Sequence, residues 1–196
     1  MTKRPMFVVA AQVASHVHNA TQVTKQLSLT AKNARAVAVR AGQQAAGFRA
    51  ITDFIEELAG NTIRLARDIN ETAVSLSHLA SEQERSQRAA EMLDEVRSKA
   101  ANATHLNSIG PVEKAIQQTN YELREQFRQQ FFSLDALLTD IRRQIQSAGV
   151  IASTSKVEAI NSGSYRAQLE TVAENIEQAA QRMQHELSIA SRLLEK

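Results

Sequence analysis

The chain has 196 residues and carries 23 Lys and Arg against 21 Asp and Glu, for a formal net charge of +2. It contains 4% aromatic residues, 6 Gly, 2 Pro, and neither Trp nor Cys. This composition is typical of long helices that meet along narrow seams, and it argues against a β-sandwich or a β-barrel. Without Cys there are no disulfides or thiolate metal sites, and so small a net charge gives no indication of nucleic-acid binding.

An apolar run near the start of the chain, Met6 to Ala14, follows Lys3 and Arg4. A membrane-spanning helix needs about 20 mostly apolar residues, so this run is too short. No cleavage-site pattern follows it, which argues against a signal peptide. We therefore expect a cytoplasmic chain with no membrane span.

Four helices follow one another along the chain, each marked by apolar residues at alternating steps of three and four. The first is predicted from about residue 6 to the turn at Gly42, and the second from 46 to 106. The third is predicted to begin at 112 and to end near 161, and the fourth to run on towards 196. The predicted seams are Val9, Val13, His16, Ala20, Val23, Leu27, Thr30 and Ala34; then Ile51, Ile55, Leu58, Thr62, Leu65, Ile69, Thr72, Leu76, Leu79, Gln83, Ser86, Ala90 and Leu93; then Phe127, Phe131, Leu134, Leu138, Ile141, Ile145, Ala148 and Ala152; then Leu169, Val172, Ile176, Ala179, Met183, Leu187, Ala190 and Leu194.

Glycine and proline signals separate these helices. The turn of the first hairpin is predicted at residues 42–47, the loop between hairpins at 107–111, and the turn of the second hairpin at 161–165. The chain is therefore predicted to be all-α: a long antiparallel four-helix bundle, or coiled coil, of two helical hairpins in tandem. Gly60 and Gly149 would lie at similar heights, where they suggest a hinge.

The stretch from Asn33 to Ala59 resembles the hairpin tip of the cytoplasmic signalling domain of methyl-accepting chemotaxis receptors. That family has an Asn-Ala start, Arg-Ala-Gly at the end of the first helix, Gly-Phe after the turn, and Leu-Ala further on. The residues here that fall on the pattern in register are Asn33, Ala34, Arg40, Ala41, Gly42, Gly47, Phe48, Leu58 and Ala59. The chain departs from it at Val37, Gln43 and Ala46, where the family has a glutamate, an acid and an arginine.

A shift of 121 residues lays the second turn on the first, with Gly42 on Gly163, Phe48 on Leu169 and Ile55 on Ile176. The second copy keeps the family's glutamate as Glu158. One interpretation is a duplication, in which one chain builds what two receptor chains build as a dimer, with both turns at one end. The other is that any two hairpins rich in Ala, Glu and Ile align this well.

The resemblance implies that the tip binds proteins, in that family a chemotaxis histidine kinase and its coupling adaptor. The implied partner-binding residues are Asn33, Arg40, Gly42, Gln43, Gln44, Phe48, Glu158 and Gly163. The run Ala80-Ser-Glu-Gln-Glu-Arg-Ser86 also resembles a methylation stretch of the family, so Glu82, Gln83 and Glu84 are candidate methylation sites. A solvated charged face is the alternative interpretation of that run.

No catalytic motif, metal site or cofactor site is predicted. His16 and His18 are two residues apart, so they diverge on a helix and do not share a metal as residues four apart do. The leading hypothesis is a non-enzymatic signal-transduction or scaffold protein of chemotaxis type. The alternatives are a structural helical bundle without kinase coupling and, more weakly, a protein whose opened helices lie on membranes. The sequence also leaves open whether the chain is a monomer or self-associates by exchanging hairpins.

Overall fold

The computed structural model describes residues 6–99 and 109–194. Four α-helices account for most of them: α1 (Met6–Ala41), α2 (Ala46–Lys99), α3 (Gly110–Ile160) and α4 (Arg166–Leu194). Short 3₁₀ segments, Gly42–Ala45 and Gly163–Tyr165, lead into α2 and α4. Within the described ranges only Asn161 and Ser162 are neither α-helical nor 3₁₀. None of the described helices is both long and apolar enough to cross a membrane.

One boundary differs from the prediction. Helix α3 begins at Gly110, so Pro111 is its second residue and not the last residue of a loop. The first turn of a helix tolerates proline, because its missing N–H has no intrahelical partner there. Residues 107 and 108 of the predicted loop, and the predicted end of the second helix at residues 100–106, lie outside the described residues.

Both predicted turns are built on a left-handed glycine. Gly42 has φ 61° and Gly163 has φ 55°, and they are the two glycines with positive φ in the described part of the chain. Such a glycine ends a helix because an L side chain clashes in this conformation and glycine has none. In the second turn the Ser162 N–H donates to the Ala159 carbonyl, and the Tyr165 N–H donates to that of Ser162, both at 3.1 Å.

The chain divides into two compact units. The larger unit consists of Gln12–Glu71 and Asp135–Lys196, and the smaller consists of Met1–Ala11 and Thr72–Leu134. In the larger unit, each helical segment contacts two others. Arg35 of α1 pairs with Asp53 of α2 at 2.8 Å, and Lys156 of α3 pairs with Glu177 of α4 at 2.7 Å.

The remaining two helix pairs of the larger unit are also in contact. The Thr24 hydroxyl of α1 lies 3.0 Å from the Met183 sulfur of α4. Residues of α2 and α3 line one groove together. Long helices therefore pack against one another around a shared core.

The core of the larger unit follows one strict three–four row on each helix. The rows are Val13, Val17, Ala20, Thr24, Leu27, Ala31, Ala34, Ala38 and Ala41; then Phe48, Thr52, Ile55, Ala59, Thr62, Ala66 and Ile69; then Leu138, Ile141, Ile145, Ala148, Ala152, Ser155 and Ala159; then Leu169, Ala173, Ile176, Ala180, Met183, Leu187 and Ala190.

The predicted seam is correct on α3 from Leu134 onwards, but on the other helices the predicted seams mix the core row with its neighbouring stripe. His16, Val23 and Thr30 of α1 are half-buried, whereas Val17, Thr24 and Ala31, one residue further on, are buried. On α2, Leu65 is likewise half-buried and Ala66 is buried. Alanine and threonine occupy the core rows because small side chains allow the helices to approach closely, while larger residues at the flanks remain partly exposed.

In the smaller unit few residues are fully buried, namely Val9, Ala10, Ala73, Leu76, Leu123 and Leu134. The predicted seam residues Gln83, Ser86, Ala90 and Leu93, and also Phe127 and Phe131, are half-buried. Arg97 of α2 and Glu113 of α3 form an ion pair at 3.1 Å. The segments of α2 and α3 in the smaller unit are thus held together by a narrower apolar seam than the helices of the larger unit.

The internal repeat extends to the burial pattern. From Val17 to Ile69, each residue of the core rows of α1 and α2 has a buried equivalent 121 positions later, on the core rows of α3 and α4 or at Ser162. Ala34 corresponds to Ser155, and Ala41 to Ser162. A match that includes the core, the two left-handed glycines and both 3₁₀ segments favours a duplicated hairpin over chance self-similarity of helical sequence.

Candidate functional site

The two hairpin turns lie side by side and share one hydrophobic cluster. Its buried members come from both hairpins: Ala34, Ala38, Ala41, Ala45, Phe48, Ala159 and Leu169, with Val37, Tyr165 and Val172 packed against them. We call this region, residues 33–48 and 158–172, the tip. The turns are adjacent because the rows that end in Ala41 and Ala159 belong to one core.

Two glycines allow the hairpins to approach closely at the tip. A Cβ atom at Gly47 of α2 would overlap the carboxylate of Glu158 of α3. A Cβ atom at Gly163 would lie 3.0 Å from Oε1 of Gln44, which belongs to the other hairpin. Glu158 and Gln44 therefore contact the opposite hairpin, and the two glycines provide the space for their side chains.

The predicted tip residues differ in accessibility. Asn33, Arg40, Gln43 and Gln44 are exposed. The Arg40 side chain donates from Nε to the Ala36 carbonyl of its own helix at 3.3 Å. Glu158 is half-buried, and Gly42 and Gly163 act through backbone conformation, as described above.

Phe48 corrects the sequence interpretation. Its ring is 0% exposed and lies inside the shared cluster, so it is not available to a partner. It begins the core row of α2, where an aromatic ring is surrounded by the small residues Ala38, Ala41 and Ala45. Phe48 therefore holds the two turns together from within.

Next to the tip, an apolar groove runs between α2 and α3. It has a volume of about 390 Å³ and is lined by Ile51, Phe54, Ser147, Val150, Ile151 and Thr154. Phe54 is 60% exposed and Val150 is 68% exposed. Val157, two helical turns beyond Val150 on the same stripe, is 57% exposed. The sequence analysis missed this surface, although Val150 and Val157 are spaced seven apart beside the core row.

The equivalent positions on the opposite side of the repeat are more polar, although Val150 corresponds to Leu29, which is 62% exposed, and Ile51 corresponds to Val172. The shift of 121 residues relates Phe54 to Asn175, Ser147 to Gln26 and Ile151 to Thr30. The groove between α1 and α4 is lined by Gln26, Thr30, Asn175, Gln178 and Arg182, among others. The same backbone arrangement thus accepts polar side chains in place of Phe54 and Ile151.

No family model, curated protein or solved structure matches this chain. The function is therefore argued from the geometry of the tip and of its grooves.

The candidate methylation residues lie in the smaller unit. Glu82 and Glu84 are exposed and Gln83 is half-buried. The carboxylate of Glu84 forms an ion pair with Arg88 one turn later on the same helix. Both carboxylates are accessible to solvent, and this surface suits a modifying enzyme as well as an ordinary charged helix face.

His16 lies away from the tip, in a contact between α1 and α4. Its Nδ1 is 2.7 Å from Oε2 of Glu186, and the Asn19 amide donates to the same oxygen at 3.3 Å. Across the described ranges, no three His, Asp or Glu side chains come together as a metal site. We therefore interpret His16 as a structural residue that forms a polar contact between the two hairpins.

Proposed function

We propose that this protein is a signalling or scaffold element that resembles the chemoreceptor signalling domain and binds protein partners beside its hairpin tip. Its architecture would be a four-helix bundle in which one duplicated chain replaces a dimer of receptor hairpins. The partners would include a chemotaxis histidine kinase and its coupling adaptor, in keeping with the resemblance around Arg40-Ala-Gly42 and Gly47-Phe48.

The apolar groove between α2 and α3 is the observation that carries the proposal. Exposed phenylalanine and valine next to an ordered turn cost solvation free energy unless another molecule covers them. The other side of the repeat is an internal comparison, because it has Asn175 in place of Phe54 and Thr30 in place of Ile151, so the fold tolerates polar residues at these two positions. Burial of exposed aliphatic and aromatic side chains is the usual source of binding energy at protein interfaces.

Phe54 and Val150 are the residues we expect a partner to contact first, and the exposed Glu57 lies one turn from Phe54 on α2. A partner that presents aliphatic side chains flanked by Lys or Arg would complement this surface. The charged residues of the family's tip are partly replaced here, by Val37, Gln43 and Ala46. Recognition would therefore depend more on apolar contact than it does in the receptors.

The test is a binding titration of the purified chain with a chemotaxis histidine kinase and with its adaptor. Phe54→Ala should weaken binding at least tenfold, the size of effect seen when a central aromatic contact is removed. Phe132→Ala is the matched control, because Phe132 is also exposed but lies in the smaller unit. Far-ultraviolet circular dichroism of each variant establishes that it is folded.

Two outcomes would count against the proposal. If wild-type chain binds neither the kinase nor the adaptor, the structural bundle without kinase coupling becomes the better interpretation. If Phe54→Ala and Phe132→Ala reduce binding equally, the groove beside the tip is not the docking surface.

A further inference from the structure

The small net charge of the chain hides an uneven distribution along it. The first 52 residues contain no Asp or Glu; the first acidic residue is Asp53. The same segment contains Lys3, Arg4, Lys25, Lys32, Arg35, Arg40 and Arg49. Within α1 the cations Lys25, Lys32, Arg35 and Arg40 all lie in the second half of the helix, and the acidic residues that balance them lie on the other helices. This asymmetry indicates a preference for anions on the α1 side of the larger unit.

One of these cations, Lys25, lines a groove between α1 and α2 together with Arg67 of α2, and this groove is separate from the apolar groove. It has a volume of about 260 Å³, and its polar lining consists of His18, Thr21 and Lys25 from α1 and Arg67 and Asn70 from α2. The other lining residues are Ala14, Ile63 and Ala66, so no carboxylate lines the groove. Such a surface presents ammonium, guanidinium, imidazole and amide donors together.

The two permanent cations of this groove have no anionic partner among the described residues. Lys25 and Arg67 are exposed, and neither forms an ion pair in the ranges that the structure describes. Arg35, further along α1, contrasts with them: its guanidinium lies 2.8 Å from Asp53 and 3.6 Å from Glu56. Glu71 is one turn from Arg67 on α2, yet the two are not paired. The groove therefore retains its positive charge.

The internal repeat again provides a comparison. The equivalents of His18, Lys25 and Arg67 on the second hairpin are Thr139, Gln146 and Ser188. The fold accepts neutral side chains at these positions. The cations of the first hairpin are thus not needed for helix packing, and a binding role explains their placement.

We propose that this groove binds a phosphate-bearing anion. Arg67 presents a planar pair of N–H donors that matches two phosphate oxygens, and Lys25 supplies a second positive charge from the facing helix. The Asn70 amide adds a neutral donor. The phosphate belongs either to a small soluble molecule or to the headgroup of an anionic lipid. The proposal concerns a different groove and different residues from the partner-binding function, so the two stand or fall separately.

The test measures binding of inorganic pyrophosphate to the full chain by isothermal titration calorimetry at low salt. A parallel arm sediments the chain with vesicles of phosphatidylglycerol and, for comparison, of uncharged phosphatidylcholine. The variant Lys25→Gln/Arg67→Ser introduces the residues that the second hairpin has at the equivalent positions. The control Arg142→Gln/Lys156→Gln removes the same amount of charge from α3, away from the groove.

We expect the groove variant to bind the phosphate at least tenfold more weakly, and the control variant to bind within about twofold of wild type. If the groove variant loses pyrophosphate binding, the phosphate belongs to a soluble ligand. If the groove variant loses only its binding to phosphatidylglycerol vesicles, the phosphate belongs to the lipid headgroup. The proposal is overturned if wild type binds neither probe, or if the groove and control variants lose affinity equally.

Discussion

At the scale of single residues, the buried hydroxyls of the larger unit fall into two kinds. Thr52 and Ser155 donate to backbone carbonyls of their own helices and Ser162 donates to the Glu158 carbonyl of the preceding helix, all at 2.7 Å. Thr24 donates to the Ala20 carbonyl at 2.9 Å. Thr62 is 1% exposed, and its hydroxyl has no hydrogen-bond partner. A buried polar atom without a partner loses its hydration and gains nothing in exchange.

Thr62→Val should therefore stabilise the protein. The change keeps the side-chain shape and removes the unpaired hydroxyl, so we expect the free energy of unfolding to rise by about 1 kcal/mol. Thr24→Val is the control, since it removes a hydroxyl that donates to Ala20 and should lower the same quantity. Urea unfolding followed by circular dichroism measures both. A less stable Thr62→Val variant would contradict the prediction.

Glycine positions provide a second prediction at this scale. An added Cβ would meet nothing within 4 Å at either Gly42 or Gly60. Gly42 has φ 61°, so Gly42→Ala should lower the free energy of unfolding by about 1–2 kcal/mol. Gly60 lies inside α2 without positive φ, so Gly60→Ala should raise it by about 0.5–1 kcal/mol. Equal effects in thermal or urea unfolding would refute the argument, because only backbone conformation distinguishes the two sites.

Gly60 also bears on the hinge suggested for Gly60 and Gly149. An added Cβ at Gly149 likewise has open space around it. Close packing therefore does not explain why residues 60 and 149 are glycines. If the pair serves as a hinge, amide exchange around both positions should slow when both are replaced by Ala; unchanged exchange would argue against a hinge.

At the scale of helices, the contact between α2 and α3 at the tip depends on Gly47. Gly47→Ala places a methyl group against the Glu158 carboxylate, and the side chain must turn away. We expect a loss of about 1 kcal/mol, limited because the end of a flexible side chain is what moves. In a Glu158→Ala background the same change should be neutral or stabilising. A double-mutant cycle measures this coupling, and additive effects would mean that the two residues do not interact.

The two phenylalanines near the start of α2, Phe48 and Phe54, should behave differently. Phe48→Ala removes a ring that is fully buried among both hairpins, so we expect a loss of about 3–5 kcal/mol in the free energy of unfolding. Phe54→Ala removes an exposed ring and should change stability by no more than about 0.5 kcal/mol. Chemical unfolding of both variants checks the assignment of Phe48 to the core and of Phe54 to the surface; comparable losses would reverse it.

At the scale of the whole molecule, the duplicated hairpins differ in side-chain size at equivalent core positions. Thr62 corresponds to Met183 and Ala66 to Leu187, so at these two positions the first hairpin has a small side chain and the second hairpin a large one. The Thr24 hydroxyl and the Met183 sulfur, 3.0 Å apart, show this complementarity directly. The hairpins of one chain have thus diverged to fit each other, unlike two identical chains in a dimer.

An exchange of Thr62 and Met183 tests this complementarity. Thr62→Met alone overfills the core and Met183→Thr alone leaves a cavity, so each should cost about 2 kcal/mol. The double variant restores the total side-chain volume and should cost at least about 1 kcal/mol less than the sum of the single changes. Additive costs in urea unfolding would mean that the two positions do not share one layer of the core.

Features that depend on local chemistry were readable from the sequence. The start of α2 and of α4, the ends of α1 and α3, and the all-helical class follow from three–four periodicity and from glycines that favour the left-handed conformation. The repeat was readable as well, because Gly42 and Gly163 fix the alignment. Each of these is decided by a residue and its neighbours in the chain.

The tertiary structure decided which stripe of each helix is the core. On α1, His16 and Val17 both suit a seam, and only the helices packed against α1 select Val17. In the same way, packing buries Phe48 and leaves Phe54 exposed, although both are phenylalanines of α2 near the turn. It also decides that Arg35 is paired while Lys25 and Arg67 are free. Periodicity alone cannot resolve adjacent stripes of small residues, because burial is a property of the neighbours that a side chain meets after folding.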